Sequence, residues 1–205
     1  MRRTFIDRSD AGHRLAAALH EEPLAAPVVL GIPRGGVAVS AVVARDLGVR
    51  HGVLVARKLR APHQPELAIG AVSASGELCL DQELAALSGA GPSYVAEEKA
   101  LQVAEARRRQ RVYGGPTNPA VVGRTVIIVD DGIATGATAI AAIRAIRARG
   151  AGRVVFAAPV GSPHAVDILR HEADEVVCLI SDSAFHSVGQ YYENFGPVED
   201  SEVMK

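Results

Sequence analysis

The sequence has few of the features that indicate secretion, a membrane or a structural metal. Only two cysteines occur in 205 residues, Cys79 and Cys178, and their wide spacing fits no metal site. No apolar run approaches the length of a bilayer, and no apolar segment follows the arginines at the N-terminus. The net charge of −1 gives no general attraction to nucleic acids or to a membrane surface. We therefore expect a cytoplasmic protein that binds small molecules.

Apolar runs rich in β-branched residues predict a buried parallel sheet. Strands are expected at Val28–Gly31, Val53–Ala56, Val126–Val129, Val154–Ala158 and Val176–Ile180. Helices are expected between them, at Gly36–Leu47, Thr135–Arg149 and Pro163–His171. Short links between strand and helix, often through glycine, are typical of right-handed βαβ crossovers. The predicted fold class is α/β, with a mostly parallel central sheet flanked by helices. We expect a single domain over residues 1–205, with a core of about residues 24–182.

Two internal segments do not follow this alternation of strands and helices. Arg57–Leu80 is predicted to be a loop that ends in a hairpin with a mobile arm, because AIGAVS and ELCL are joined at Ser75-Gly76. Ser93–Tyr113 is predicted to be a long charged helix. Its arginines (Arg107, Arg108, Arg109 and Arg111) share the helix with glutamates, so a solvent-facing helix is favoured over an RNA surface. One arginine could reach a neighbouring subunit's site, but the sequence does not choose which.

The segment VIIVDDGIATGAT carries the strongest functional signal. Asp130 and Asp131 end a buried strand, where carboxylates without partners would be costly. A loop of glycine and threonine follows and opens a helix, so its N–H groups can surround a phosphate. No lysine follows the glycine as in a Walker A loop, and no dinucleotide fingerprint occurs. Acids beside a phosphate loop favour a sugar 5-phosphate, whose hydroxyls would donate to Asp130 and Asp131.

This segment resembles the signature of the type I phosphoribosyltransferases, which bind 5-phosphoribosyl-1-pyrophosphate (PRPP). The resemblance extends from about Val28 to Phe195 and implies the family fold, with a small hood built from the two chain ends. It also implies transfer of ribose 5-phosphate to a nitrogenous base, a role in nucleotide salvage, and a homodimer or higher homo-oligomer. The PRPP loop would consist of Asp130, Asp131, Gly132, Ile133, Ala134, Thr135, Gly136, Ala137 and Thr138. Mg²⁺ would be carried by PRPP near the acid pair, without direct protein ligands.

A second glycine turn, GIPRGGVAVS, follows the first strand. Gly35 and Gly36 allow backbone amides to approach an anion, and Arg34 can donate a forked hydrogen bond. The resemblance implies that this is the pyrophosphate loop, with a strained peptide near Pro33-Arg34. Arg57 and Lys58 are expected to end the neighbouring strand and to add two cations. Catalysis is assigned to Arg34, Lys58, Asp130 and Asp131, and Arg57–Leu80 would close to exclude water.

The acceptor base stays open because two signals conflict. Ala134 occupies a position where members of the family that use 6-oxopurines commonly carry an acid, and alanine cannot transfer a proton. The stretch DSAFHSVGQYYENF resembles the base-reading segment of those same enzymes, in which Phe185 would stack on the base. Packing of the aromatic side chains on the sheet is the structural alternative. A second function also remains open, namely a PRPP-sensing regulatory protein without catalysis.

Overall fold

The structure is a computed structural model that describes residues 4–20, 27–113 and 119–199. Its larger sheet has five parallel strands in the order β2-β1-β6-β7-β8. A smaller antiparallel sheet has the order β3-β4-β5. The strands are β1 Val28–Gly31, β2 Arg50–Val53, β3 Ala56–Ala61, β4 Gln64–Ser73, β5 Leu78–Leu80, β6 Thr125–Val129, β7 Arg153–Gly161 and β8 Glu175–Ser181. The helices are α1 Arg8–His20, α2 Gly35–Leu47, α3 Gln82–Leu87, α4 Pro92–Val112, α5 Ala137–Ala148 and α6 Pro163–Glu172, with a 3₁₀ turn at Val188–Tyr191.

Helices cover both faces of the parallel sheet, which confirms the predicted α/β class. Alternate residues of each strand point to opposite faces. On β6, Ile127 and Val129 pack with α1 and α2, whereas Val126 and Ile128 pack with α5 and α6. All five residues of β6 are buried, as expected for a central strand covered on both faces. The two apolar layers fix the sheet between two pairs of helices.

The apolar run at Val53–Ala56 does not form the predicted strand. β2 ends at Val53, and the N–H of Leu54 still donates to the Gly31 carbonyl at 2.9 Å. The chain then crosses to the smaller sheet, which begins at Ala56. Leu54 and Val55 are buried in this crossing. The run is apolar because it passes between two cores, and an apolar run by itself does not distinguish a connection from a strand.

Arg57–Leu80 is largely a sheet and not the loop that the sequence predicted. The expected hairpin is present as β4 and β5, which turn at Gly76, but Arg57–Ala61 belongs to a further strand, β3. Leu59 and Ile69 are fully buried in a cluster with Ala85 and Val103. Both α4 and α5 pack against this sheet. The regular structure therefore follows from burial of its apolar residues, while the mobility of the arm stays a prediction.

The long charged helix is confirmed as α4, within one residue of the predicted ends. The described parts of the two terminal segments, from which a small hood was expected, lie together. The Phe5 N–H donates to the Tyr191 carbonyl at 2.7 Å, and the Glu193 N–H donates to the Phe5 carbonyl at 2.8 Å. Along the described part of the chain, no helix combines the length and apolar character that a membrane crossing requires. The expected homo-oligomer stays a prediction.

The core of the parallel sheet should be sensitive to loss of volume at Phe156 on β7, which is fully buried. Replacement of Phe156 by alanine should lower the free energy of unfolding by about 3–5 kcal/mol, because burial is lost and a cavity remains. Leu101 on α4 is 62% exposed and provides the control. Leu101→Ala should change stability by less than about 0.5 kcal/mol. Urea denaturation measures both values, and similar losses in the two variants would contradict the assigned core.

Candidate active site

The strand order creates a crevice between β1 and β6. The chain runs from β1 into α2 on one face of the sheet, and from β6 into α5 on the other. In open α/β sheets, such a change of direction leaves a ligand-binding crevice at the carboxyl ends of the strands. The N–H of Ile32 donates to the Val129 carbonyl at 2.9 Å, so the two strand ends stay adjacent. The predicted pyrophosphate loop and the predicted PRPP loop therefore meet at this crevice.

The loop after β6 lines a cavity of about 120 Å³. Gly136 has φ +80, a conformation that favours glycine, and α5 begins directly after it. The Ile133 N–H donates to the Val160 carbonyl at 2.8 Å, and the Ser162 hydroxyl donates to the Ala134 carbonyl at 3.1 Å. Seven of the nine predicted PRPP-loop residues line the cavity: Asp130, Gly132, Ile133, Ala134, Thr135, Gly136 and Thr138. A helix N-terminus beside such a cavity suits an anion.

The two aspartates differ in their surroundings. Asp130 lines the cavity, and its Oδ1 accepts a hydrogen bond from the Asp131 N–H at 2.9 Å. Asp131 lies against α2, where a Cβ on Gly35 would come within 1.8 Å of its Oδ2. Glycine at position 35 therefore lets α2 approach the acid pair closely. This contact gives Gly35 a structural role in addition to the amide that the sequence assigned to it.

Arg8 is a residue of the site that the sequence did not indicate. Its Nε donates to Asp131 Oδ2 at 2.9 Å, and its Nη1 donates to the Gly196 carbonyl at 2.9 Å. The guanidinium also lies 4.0 Å from the ring centroid of Phe195. Arg8 therefore joins the first helix, the acid pair and the C-terminal segment. This ion pair also gives Asp131 a cationic partner within the chain.

Tyr192 is a second residue that links the C-terminal segment to the acid pair. Its hydroxyl donates to the backbone carbonyl of Asp131 at 2.7 Å, and burial raises the pKa of this phenol above its ordinary value. The ring lies against Phe5, with centroids 5.4 Å apart. Neither Arg8 nor Tyr192 belongs to a local motif near Asp131. Only the fold brings them to the site.

The carboxyl of Asp130 has a pKa well above its ordinary value. Burial of the group is the largest cause, and the negative charge of Asp131 adds to it. The hydrogen bond from the Asp131 N–H acts in the opposite direction, and Arg8 also lowers the pKa. Burial and the neighbouring charge dominate. Ionisation of Asp130 is therefore less favourable than that of an ordinary aspartate.

A second cavity lies beside the Pro33–Arg34 turn, and its lining includes two of the five predicted pyrophosphate residues, Arg57 and Lys58, but not Arg34, Gly35 or Gly36. The peptide bond between Pro33 and Arg34 is cis. A cavity of about 180 Å³ lies between this turn, β3 and α5. Arg57 and Lys58 line it, but they do so from within β3 and not from the end of a parallel strand, as the sequence predicted. Arg57 and Lys58 thus line the same cavity as Pro33 of the turn, and their role in pyrophosphate binding stays a prediction.

Phe185 lies in the segment that approaches the PRPP loop. A Cβ on Gly132 would meet the Val188 side chain at 2.6 Å, so the 3₁₀ turn packs directly on the loop. The Phe185 ring stacks on Tyr191, with centroids 5.8 Å apart and planes at 16°. Tyr191 is buried and donates its hydroxyl to Asp182 Oδ2 at 2.8 Å. Packing on the sheet thus accounts for Tyr191 and Tyr192, while stacking of a base on Phe185 stays a prediction.

Comparison with known proteins identifies the family. The sequence profile of the phosphoribosyl transferase domain matches residues 7–195. The chain belongs to the phosphoribosyl transferase family. A protein of Mycobacterium tuberculosis strain H37Rv, provisionally named a phosphoribosyl transferase, is 44% identical over 203 residues. These residues make up 98% of the chain and 45% of the relative, so the chain spans about half the length of this curated family member.

Solved structures with a similar fold agree with this assignment. The protein TT1426 from Thermus thermophilus superimposes with a TM-score of 0.92 at 47% identity, over 98% of this chain and 96% of that protein. The purine phosphoribosyltransferase of Pyrococcus horikoshii gives a TM-score of 0.52 at 17% identity, over 97% of this chain and 99% of that protein. The adenine phosphoribosyltransferase of Leishmania donovani gives a TM-score of 0.52 at 14% identity, over 92% of this chain and 69% of that protein. The last two structures, at lower identity, support the type I fold and carry no information on the base.

The ion pair between Arg8 and Asp131 should contribute to stability. Its side chains are only 14% and 17% exposed, so Arg8→Gln should lower the free energy of unfolding by about 1–3 kcal/mol. Arg14 on the same helix pairs with Asp10 but is 49% exposed, and Arg14→Gln should cost less than about 0.5 kcal/mol. Urea denaturation of both variants tests this difference. Equal losses would show that the contact with Asp131 does not hold the terminal segments.

The raised pKa of Asp130 predicts a pH-dependent effect of Asp130→Asn. A carboxyl whose pKa is higher in the folded state than in the unfolded state makes its full contribution to the stability of the fold below the unfolded-state pKa. This contribution is lost as the pH rises through the folded-state pKa. Asparagine has no charge to bury, so the variant should be more stable than the wild type near neutral pH. Its advantage should shrink as the pH falls toward about 4.

Urea denaturation between about pH 4 and about pH 8 measures this dependence. Asp167→Asn is the control, because Asp167 is an exposed residue of α6 that pairs with Arg170. A constant difference between Asp130→Asn and the wild type at every pH would disprove the assignment of the raised pKa.

Proposed function

We propose that the chain transfers ribose 5-phosphate from PRPP to a nitrogenous base and releases pyrophosphate. The observation that carries this proposal is the position of Thr138. This residue lines both the cavity after β6 and the cationic cavity beside the Pro33–Arg34 turn. Two adjacent anion-binding cavities suit a ligand with a phosphate at each end. PRPP is such a ligand, and membership of the family supports the same choice.

The residues around the cavities have separate roles in this proposal. The 5-phosphate would occupy the cavity at the start of α5, where backbone N–H groups and the threonine hydroxyls can donate. The ribose hydroxyls would donate to the acid pair. The diphosphate would lie on the other side, at Arg34, Gly35 and Gly36 with Arg57 and Lys58. The bond from C1 to the diphosphate oxygen breaks with its electron pair on the oxygen. A nitrogen of the base then bonds to C1, and its proton passes to solvent.

Protein groups would act mainly by positioning and by charge. The cations stabilise the negative charge that develops on the departing diphosphate. The acid pair holds the ribose so that C1 faces the base, which gives the reaction its geometry. Closure of the hairpin formed by β4 and β5 would exclude water, because hydrolysis is the competing reaction. Asp130 and Asp131 thus act through the hydroxyls of the sugar.

Mg²⁺ fits this arrangement as a partner of PRPP. Across the described residues, no group of three or more His, Cys, Asp or Glu side chains could hold a metal ion without help. The site offers two neighbouring carboxylates, and Asp131 is already paired with Arg8. Oxygens of the diphosphate and ribose are the hard ligands that Mg²⁺ prefers. When bound, the ion would neutralise charge on the diphosphate, with Asp130 and Asp131 nearby.

The base remains open within this proposal. Ala134 is exposed at the edge of the cavity and has no side chain that could transfer a proton. Phe185 lies on the C-terminal segment that packs against Gly132 through Val188. Stacking of the base on Phe185 would require the face of the ring that does not contact Tyr191. A purine or pyrimidine can stack in this way.

A PRPP sensor is the alternative function. Asp131 forms an ion pair with Arg8, and a protein that only binds PRPP would use the same two carboxylates as an enzyme. The two functions differ in one measurable product, which is pyrophosphate.

An assay of pyrophosphate release from Mg²⁺–PRPP, with a panel of purines, pyrimidines and other heterocycles, separates the two functions. We expect release that depends on one base or a small group of bases. Replacement of both Asp130 and Asp131 by alanine should abolish PRPP binding in calorimetry and pyrophosphate release, because the ribose contacts are lost. Asp167→Asn provides a control with both properties intact. PRPP binding without release for any base would favour the sensor, and normal PRPP affinity in the double variant would disprove the site.

A further inference from the structure

The cavity beside the Pro33–Arg34 turn is unusually rich in positive charge. Four of its ten lining residues are cationic: Arg57, Lys58, Arg60 and Arg109. None of the lining residues that the structure describes is acidic. The remainder of the wall is formed mainly by apolar side chains and by Thr138 at the start of α5. Positive groups on an apolar wall attract an anion strongly, because water screens the interaction less there.

Hydrogen bonds within the chain hold these cations together. Arg57 Nε donates to Gln102 Oε1 at 3.1 Å, and Gln102 is only 3% exposed. Gln102 in turn donates to Glu98 at 3.0 Å, and the same carboxylate accepts from the Arg60 N–H. Arg109 Nε donates to Glu105 at 2.9 Å. Glutamine and glutamate of α4 thus hold the guanidinium groups of Arg57 and Arg109, whereas Arg60 is held through its backbone N–H.

The cations of this cavity lie close enough to affect one another. Burial lowers the pKa of the Arg57 guanidinium below its ordinary value, and the charges of Arg109 and Arg60 lower it further, while Glu105 and Glu98 act in the opposite direction. The Nε atom of Arg60 is buried and has no hydrogen-bond partner among the described residues. A buried donor of this kind is unfavourable, and it is rare in folded proteins. An anion in the cavity would relieve the repulsion between the cations and supply acceptor atoms for the N–H groups that reach it.

We propose that Arg109 of α4, together with Arg60, binds the diphosphate end of PRPP in this cavity. The inference rests on the proposed function and adds two residues to the pyrophosphate side of the site. A diphosphate carries several acceptor oxygens, and a guanidinium has five N–H donors in a planar fork. The ion pair with Glu105 uses the Nε of Arg109, and the N–H groups of the two Nη atoms are the donors that the proposal assigns to the ligand. The arginine-rich run therefore contributes one residue to the site of its own chain.

The position of α4 gives the inference a structural reason. This helix packs against β3, which carries Arg57, Lys58 and Arg60. Arg109 lies near the end of the helix, and its neighbour Arg108 pairs with the same Glu105. Arg108 does not belong to the cavity wall. Two adjacent arginines with the same partner thus differ in their access to the cavity.

This difference supplies a matched pair of variants, Arg109→Gln and Arg108→Gln. Both lose an ion pair with Glu105 on the same helix, so any common effect on α4 is subtracted. Calorimetry with pyrophosphate, PRPP, inorganic phosphate and ribose 5-phosphate measures affinity. We expect Arg109→Gln to weaken pyrophosphate and PRPP binding at least about tenfold, because a charge-assisted hydrogen bond is lost. Arg108→Gln should change these affinities by less than about twofold.

The four ligands distinguish the possible outcomes. Ribose 5-phosphate has no diphosphate, so its affinity should stay the same in both variants. Equal losses of pyrophosphate affinity in the two variants, or no loss in Arg109→Gln, would overturn the inference. A loss confined to inorganic phosphate would also overturn it, because the cavity would then bind free phosphate and not the diphosphate of the substrate. Failure of the wild type to bind PRPP would instead reject the proposed function.

Arg109→Lys keeps the positive charge but removes the planar set of N–H donors. This variant also serves as a control for a folding defect. We expect its pyrophosphate affinity to lie between those of the wild type and Arg109→Gln, because lysine donates as a point charge. Thermal unfolding of each variant should give the same transition as Arg108→Gln. An Arg109→Lys variant as weak as Arg109→Gln, with normal unfolding, would point to a steric role of Arg109 and would overturn the inference.

Discussion

The close contact between the β1–α2 turn and the acid pair after β6 is the constraint on which the site depends. Gly35 has no Cβ, and any Cβ there would overlap Asp131 Oδ2 at 1.8 Å. A Cβ on Gly36 would lie 2.7 Å from the Val129 carbonyl oxygen. The two glycines therefore allow the helix that leaves β1 to lie directly beside the carboxylates that leave β6. Any side chain there would separate the two halves of the crevice.

This contact places the carboxylates of the acid pair near the cationic cavity. Asp130 and Asp131 lie on one side of the crevice, and a cavity with four cations lies on the other. Arg8 neutralises Asp131, and Asp130 has a raised pKa. The acid pair therefore avoids the cost of two poorly solvated charges. The described walls of the cationic cavity contain no acid, and the carboxylate that pairs with Arg109 belongs to Glu105 of α4, outside the wall.

Elements far apart in the sequence complete the site. The N-terminal helix supplies Arg8, and the C-terminal segment supplies Tyr192 and Phe195, which contact Asp131 and Arg8. The smaller sheet supplies Arg57 and Lys58, and α4 supplies Arg109. The central sheet thus provides the crevice, while peripheral elements provide its charged walls.

The sequence by itself determined the parallel sheet, its helices and the loop Asp130–Thr138, because each depends on local patterns. Apolar strands, glycine turns and helix starts can be recognised from short stretches of sequence. The sequence also indicated the second glycine turn and the long helix α4. It did not show that Val53–Ala56 crosses between two sheets, since apolar residues look alike in a strand and in a buried connection.

Only the tertiary structure decided which charges meet. Arg8 lies 123 positions before Asp131, and no local pattern joins them. Among four nearly adjacent arginines of α4, the packing of the helix against β3 brings Arg109 to the cavity. Such choices depend on how helices and sheets pack, and packing is set by contacts between residues distant in the chain. Local sequence patterns fix the elements, and their assembly fixes the electrostatics of the site.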